Sequence, residues 1–154
     1  MAICKVKLPD EIYKAIEKLS DKTDKVIEST LKAGGKVVLD AMKNNLRQSI
    51  KDSPKRSTGE LVDSLGMTKV RVNKRGIQNI KIGFNEPRRK QCVAKKKRSY
   101  YTITNALIAN VLEYGKSGQE ARPFVSRAKS QSRKPCIEAM KKKFDEEIKK
   151  LGVK

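Results

Sequence analysis

The chain has no histidine and no tryptophan, and aromatic residues make up only 5% of it. Without histidine there is no Ser-His-Asp triad, no Cys-His dyad and no His-containing zinc site. Cysteine is scarce as well: Cys4, Cys92 and Cys136 are odd in number, widely spaced and form no CxxC pair. That pattern fits free thiols in a reducing cytoplasm and argues against a disulfide scaffold. No stretch approaches the roughly 20 apolar residues needed to span a bilayer. The opening residues Met1-Ala2-Ile3-Cys4-Lys5 lack the apolar run of a secretory signal. A soluble protein made in the cytoplasm, with no membrane partner, is expected. Acidic residues are also few, 17 Asp and Glu against 37 Lys and Arg, which leaves a formal charge of +20. So large an excess suits a polyanionic neighbour, DNA first and an acidic protein surface or membrane headgroups next.

What is present reads as one domain over 1–154, of α+β class. After Pro9-Asp10, apolar residues recur as Ile12, Ile16, Leu19, Val26, Ile27, Leu31, Val37, Val38, Met42, Leu46 and Ile50. Steps of three and four mark one face of a long amphipathic helix. Gly34-Gly35 interrupt the pattern, which predicts a bend or a close packing contact. Pro54 ends the helix. Ser57 and Glu60 have the spacing of a capping box, followed by Leu61 and Leu65 on one face of a short helix that Gly66 is placed to stop.

The period then changes. Val70 and Val72, and later Ile80, Ile82 and Phe84, alternate with polar residues around the turn residues 73–76, which predicts a hairpin within a small antiparallel sheet. Residues 86–101 are basic without usable periodicity and read as a mobile loop. Leu107, Ile108, Val111 and Leu112 suggest a short helix closed by Gly115. A final helix starts near Pro123, with Phe124, Ala128, Ile137, Met140, Phe144, Ile148 and Leu151 facing inward and Pro135 expected to kink or split it.

Few groups are placed for chemistry. Gly115-Lys116-Ser117 matches the end of a phosphate-binding loop, but the glycine required five positions earlier is Asn110. Glu113 has no second positioned carboxylate, and a lone acid of this kind is usually an ion-pair partner. No catalytic, metal or cofactor residues are therefore assigned, and the expected role is non-enzymatic. Two basic clusters, Arg88, Arg89 and Lys90 and then Lys95, Lys96, Lys97 and Arg98, are the candidates for DNA contact, with Tyr100 and Tyr101 beside them. They suit weak, sequence-independent phosphate binding, although a charge run is as often a solvated loop. Lys141-Lys142-Lys143 carries less, because cations near a helix end also complement its dipole.

Two segments carry a resemblance. The first holds Pro54, Thr58, Gly59, Leu61 and Ser64; the second holds Glu113, Tyr114 and Gly115, then Arg122, Pro123 and Phe124. In this order, with a hairpin between them, they resemble the gp ten-like tail-component family of lambdoid tailed phages, the head-tail joining and tail-completion proteins. The resemblance spans about 32–148. It departs from the family pattern in the spacing from Pro54 to Thr58, one residue longer, and in Lys116 where threonine is frequent. The resemblance implies an α+β fold with a long N-terminal helix, a small antiparallel sheet, short helices and a C-terminal helix. It also implies a structural subunit of the phage neck or tail, a self-associating ring, commonly sixfold, with portal, neck or tail proteins as partners. Such a subunit is made in the bacterial cytoplasm and ends in the virion, its basic loop facing the lumen. The motif residues are then fold-defining: Thr58 and Gly59 start a helix, Gly115 turns the chain, Arg122 pairs with Glu113, and Pro123 and Phe124 anchor the last helix. The rival reading is a free-standing, sequence-independent nucleic-acid-binding protein.

Overall fold

The computed structural model describes residues 4–9, 12, 23–51, 59–86, 92–96 and 99–150. The expected α+β architecture is present: a long helix lies between a small antiparallel sheet and a long C-terminal helix. The elements are β1 (Cys4–Lys7), α1 (Thr23–Lys51), α2 (Glu60–Asp63), β2 (Leu65–Met67), β3 (Arg71–Val72) and β4 (Gln78–Phe84). They are followed by β5 (Cys92–Lys96), β6 (Ser99–Ile103), α3 (Asn105–Tyr114) and α4 (Val125–Lys150).

Helix α1 follows its apolar periodicity, burying Val26, Ile27, Leu31, Val38, Met42 and Leu46. Asp24 in its first turn and Lys51 in its last complement the dipole. The glycine pair leaves the helix unbroken and instead permits close packing on two sides. A Cβ at Gly34 would overlap Met140 of α4, lying 2.7 Å from its Cγ and closer still to its Cε. A Cβ at Gly35 would lie 2.5 Å from Met67 Sδ, on the sheet side. Adjacent helical residues point about 100° apart, so one dipeptide serves both layers. The expected start of this helix, just after Asp10, falls outside the described residues, although Ile12 is buried in the core.

Strand β4 is central. It pairs antiparallel with β1 on one side and with β2 and then β3 on the other. From Met67 to Arg71 the chain advances four residues while β4 advances three, from Ile82 back to Asn79. The extra residue is a β-bulge, which bends β2 into β3. Ile80 and Ile82 are fully buried toward α1, as their alternation predicts. Val72, on the two-residue edge strand β3, is 63% exposed. The partner β1 went unread in the sequence: four residues, three of them Cys or Lys, with Val6 as the one fully buried side chain.

Other expectations need correction. The N-cap position of α2 is Gly59 at φ 74°, with no side-chain cap of its own; Ser57, on which the expected capping box rests, lies outside the described residues. A left-handed N-cap favours glycine. Gly66 does not stop α2, which ends at Asp63 with Ser64 as its C-cap; Gly66 is inside β2. Part of the basic 86–101 segment, expected as a mobile loop, is strand: β5 and β6 form an antiparallel pair running from Cys92 opposite Ile103 to Lys96 opposite Ser99. Backbone ladders form regardless of side-chain charge, and Val93, Tyr100, Tyr101, Thr102 and Ile103 favour strand.

Helix α4 runs through Pro135 without splitting. The proline is exposed, so the carbonyl of Gln131 that loses its partner lies on the wet side. Its buried stripe is Phe124, Ala128, Ser132, Cys136, Met140 and Phe144, spaced strictly by four. Ile137, expected inside, is 36% exposed. Such i+4 ridges match those of α1, and the two helices pack antiparallel: Gly34 meets Cys136 and Met140, while Asn45 donates to Gln131 at 3.0 Å. Burial pushes the Cys136 thiol up to about 11, with a smaller rise from neighbouring Cys4, which favours the neutral thiol that packs against Gly34.

Candidate functional site

Helix α3 begins at Thr104, whose side chain accepts from Leu107 N–H at 3.1 Å. It ends at Gly115, whose N–H reaches Val111 carbonyl at 2.9 Å. The expected inward face included Leu107, but that side chain is 41% exposed; the fully buried positions are Asn105, Ala109 and Glu113. These are spaced by four, and two of the three are polar. Asn105 donates to the carbonyl of Asn85 at 3.0 Å and so ties α3 to the end of β4.

Glu113 is buried because it caps a different helix. Its Oε2 accepts the backbone N–H groups of Phe124 and Val125 at 2.9 and 2.8 Å. Its Oε1 accepts the N–H and hydroxyl of Ser126 at 2.9 and 2.5 Å. These N–H groups open α4 and have no partner within the helix, and the dipole there favours a negative charge. Burial alone would raise the carboxyl's pKa, but the hydrogen bonds from Ser126, Val125 and Phe124 outweigh it and hold Glu113 below its ordinary value. The carboxylate is structural: each of these bonds goes to the protein itself.

The chain between α3 and α4 is shaped to make that contact. Gly115 sits at φ 76°, where a Cβ would lie 2.9 Å from the Gln119 carbonyl oxygen and 3.0 Å from Ala121 N, both backbone atoms. Lys116 and Gln119 exchange backbone hydrogen bonds at 3.0 and 2.9 Å. The N–H of Arg122 then returns to the Leu112 carbonyl at 2.7 Å.

Arg122 was expected to pair with Glu113. Its Nη1 instead donates to the carbonyl of Ser49 at 3.1 Å, in the last turn of α1, where helix carbonyls lack intrahelical partners. Phe124 is fully buried and meets Phe84 edge to face, centroids 6.2 Å apart and planes at 74°. Glu113, Gly115, Arg122 and Phe124 thus join the ends of α1, α3, α4 and β4 in one knot.

The remaining motif residues are scattered. Leu61 is buried in the core, and Ser64 caps α2 by donating to the Leu61 carbonyl at 2.9 Å. Pro123 is half-buried, and Tyr114 is 73% exposed and belongs to no packing site. Pro54 and Thr58 lie outside the described residues, as do Arg88, Arg89, Lys90, Lys97 and Arg98; Lys95 and Lys96 stand on β5. Of Lys141-Lys142-Lys143, Lys143 is paired with Glu147 at 3.0 Å and Glu146 at 3.5 Å, which leaves it little to offer a phosphate. The partners Ser49, Asn85 and Ser126 were missed in the sequence; only Ser126 carried a local signal, a serine just inside a helix start after Pro123.

Among the described residues no group of three or more His, Cys, Asp or Glu side chains is arranged to hold a metal ion. None of the described helices is long and apolar enough to cross a membrane. A family model described as "Bacteriophage HK97-gp10, putative tail-component" matches residues 10–115. Its match ends at Gly115, so Glu113 joins the matched stretch to the helix that follows it. No curated protein and no solved structure matches the chain.

Proposed function

Because the chain belongs to the bacteriophage HK97-gp10 tail-component family, we propose that it is a non-enzymatic subunit of the head-tail junction or tail-completion apparatus, working as a ring built from copies of itself. The observation that carries this reading is the family match over residues 10–115, most of the chain, spanning α1, strands β2 to β6 and α3. The knot at Glu113 supports it from the physical side, since the polar groups gathered there are spent on holding helices together. Exposed apolar side chains supply surface for neighbours: Leu107 and Tyr114 both stand on α3, and Val72 sits at the sheet end. Portal, neck and tail proteins are the partners, met in the bacterial cytoplasm during assembly and kept in the virion. The basic segment 86–101, with Lys95 and Lys96 on β5, faces the lumen and makes weak contact with passing DNA.

The test is genetic. In a phage that encodes this protein, blocking its synthesis should leave filled heads and tails that do not join, or tails left incomplete, with infectious particles lost by orders of magnitude. Normal, infectious virions made without it would refute the assignment.

A further inference from the structure

The open face of the four-stranded sheet carries a charge pattern that the fold does not need. Pairing fixes which residues share that face. Lys5 lies directly opposite Lys81, and Lys7 and Arg71 lie opposite Asn79 from its two sides. Lys5, Lys7, Arg71 and Lys81 are all exposed, while the alternate residues Val6, Ile80 and Ile82 point to the core. Neighbouring strands are about 4.8 Å apart, so these cations stand in one crowded array. Like charges directly opposite each other on a ladder are destabilising. No acidic residue occurs anywhere in 64–85 to offset them.

A second feature of the same face is independent of charge. Gly66 and Gly83 lie opposite each other and leave a bare strip of backbone. Packing does not require it: a Cβ at Gly83 would meet nothing within 4 Å, and one at Gly66 only the Asn85 side-chain nitrogen at 3.8 Å. Glycine in a strand weakens it and often marks a place where another backbone approaches closely.

We infer that this sheet face is a contact surface for the phosphate backbone of duplex DNA, separate from the 86–101 segment. Charge complementarity calls for a polyanion, and the composition of the face selects which one. Protein interfaces centre on desolvated aromatic, Met or Arg anchors and are depleted in lysine, whereas three of the four cations here are lysines. Among the described residues, the positions between the cations are Asn79, Gly66 and Gly83, none of them apolar or aromatic. Phosphates need only cations and hydrogen-bond donors on a surface they can approach. Among the described residues of the face none is a base-reading element that enters a groove, so the contact is blind to sequence.

The test is binding of a labelled random-sequence duplex to the full chain across a salt series. Each phosphate contact contributes a slope of about −0.9 in log affinity against log salt. A variant carrying Lys5→Gln, Lys7→Gln, Arg71→Gln and Lys81→Gln should lose about 3 to 4 from the magnitude of that slope. Its melting temperature should hold or rise, because repulsion is relieved. Should the fourfold variant not fold, Lys81→Gln alone should lower the slope by about 0.9. Gly83→Val fills the strip while favouring strand, and should weaken DNA binding severalfold with no loss of stability. Slopes unchanged in the lysine and arginine variants would overturn the assignment. So would polyglutamate of equal length binding as tightly as the duplex, which would give the face to an acidic protein.

Discussion

Glu113→Ala should destabilise the protein by about 2–4 kcal/mol, because it orphans three N–H donors at the start of α4, one buried and two partly buried, where a fully buried donor costs about 1–3 kcal/mol before relaxation and water entry. Domain stabilities are about 5–15 kcal/mol, so this one change should consume much of the total. Glu113→Gln keeps a side-chain oxygen and loses the charge opposite the helix dipole, and a smaller loss of about 1–2 kcal/mol is expected. Urea unfolding followed by circular dichroism measures both. Acid dependence provides a separate readout. Since the fold holds Glu113 below the ordinary value of 4.5, its contribution is complete above that pH and is lost as pH falls through the lower folded value. The glutamine variant should lose less stability than wild type across that acid window. Equal acid sensitivity, or an alanine variant as stable as wild type, would show that the cap carries no weight.

Gly34→Leu is expected to cost about 3 kcal/mol or more, although glycine in mid-helix is itself unfavourable by about 1 kcal/mol relative to Ala. The added side chain must displace Met140, which is 1% exposed, and Cys136, whose Sγ would lie 3.1 Å from even a Cβ. Both belong to the stripe that α4 lays on α1, so the two long helices must separate. If packing at this point decides the outcome, Gly34→Leu combined with Met140→Ala should recover part of the loss, as residues sharing one space do in a double-mutant cycle. A Gly34→Leu protein with unchanged stability would mean that α1 and α4 are not held at this distance.

The parts of the fold legible in the sequence were those whose signal is local and repeated. The i, i+3, i+4 recurrence from Val26 to Leu46 shows α1 directly, and the alternation Ile80, Ile82, Phe84 shows β4. Even the double glycine could be read as a close contact, though not which two layers it serves. What escaped is set by distant partners. Strand β1 has too few residues to display a period, and exists because β4 offers it a ladder. Ser132 and Cys136 continue the stripe of α4 in small, polar-looking letters, so Ile137 drew the assignment that belonged next to it. Charge concealed β5 and β6, since a run of lysines looks solvated whether or not its backbone is paired.

The site divides in the same way. The resemblance singled out Glu113, Gly115, Arg122 and Phe124 by type and order alone. Which partner each one takes depends on where α4 begins relative to α1 and α3. The resemblance implied a pair between Glu113 and Arg122, whereas the helix ends supplied stronger claims on both: N–H groups for the carboxylate and a carbonyl for the guanidinium.

The ring-building role is tested most directly by the mass of the purified protein in solution, measured by sedimentation and light scattering over a wide concentration range, alone and with purified tail and portal proteins. The expected result is a discrete closed oligomer, populated at high concentration or on adding a partner, that appears as rings by electron microscopy. A chain that stays monomeric throughout and binds none of those proteins, yet binds DNA tightly, would contradict it and leave the free-standing nucleic-acid-binding reading in its place.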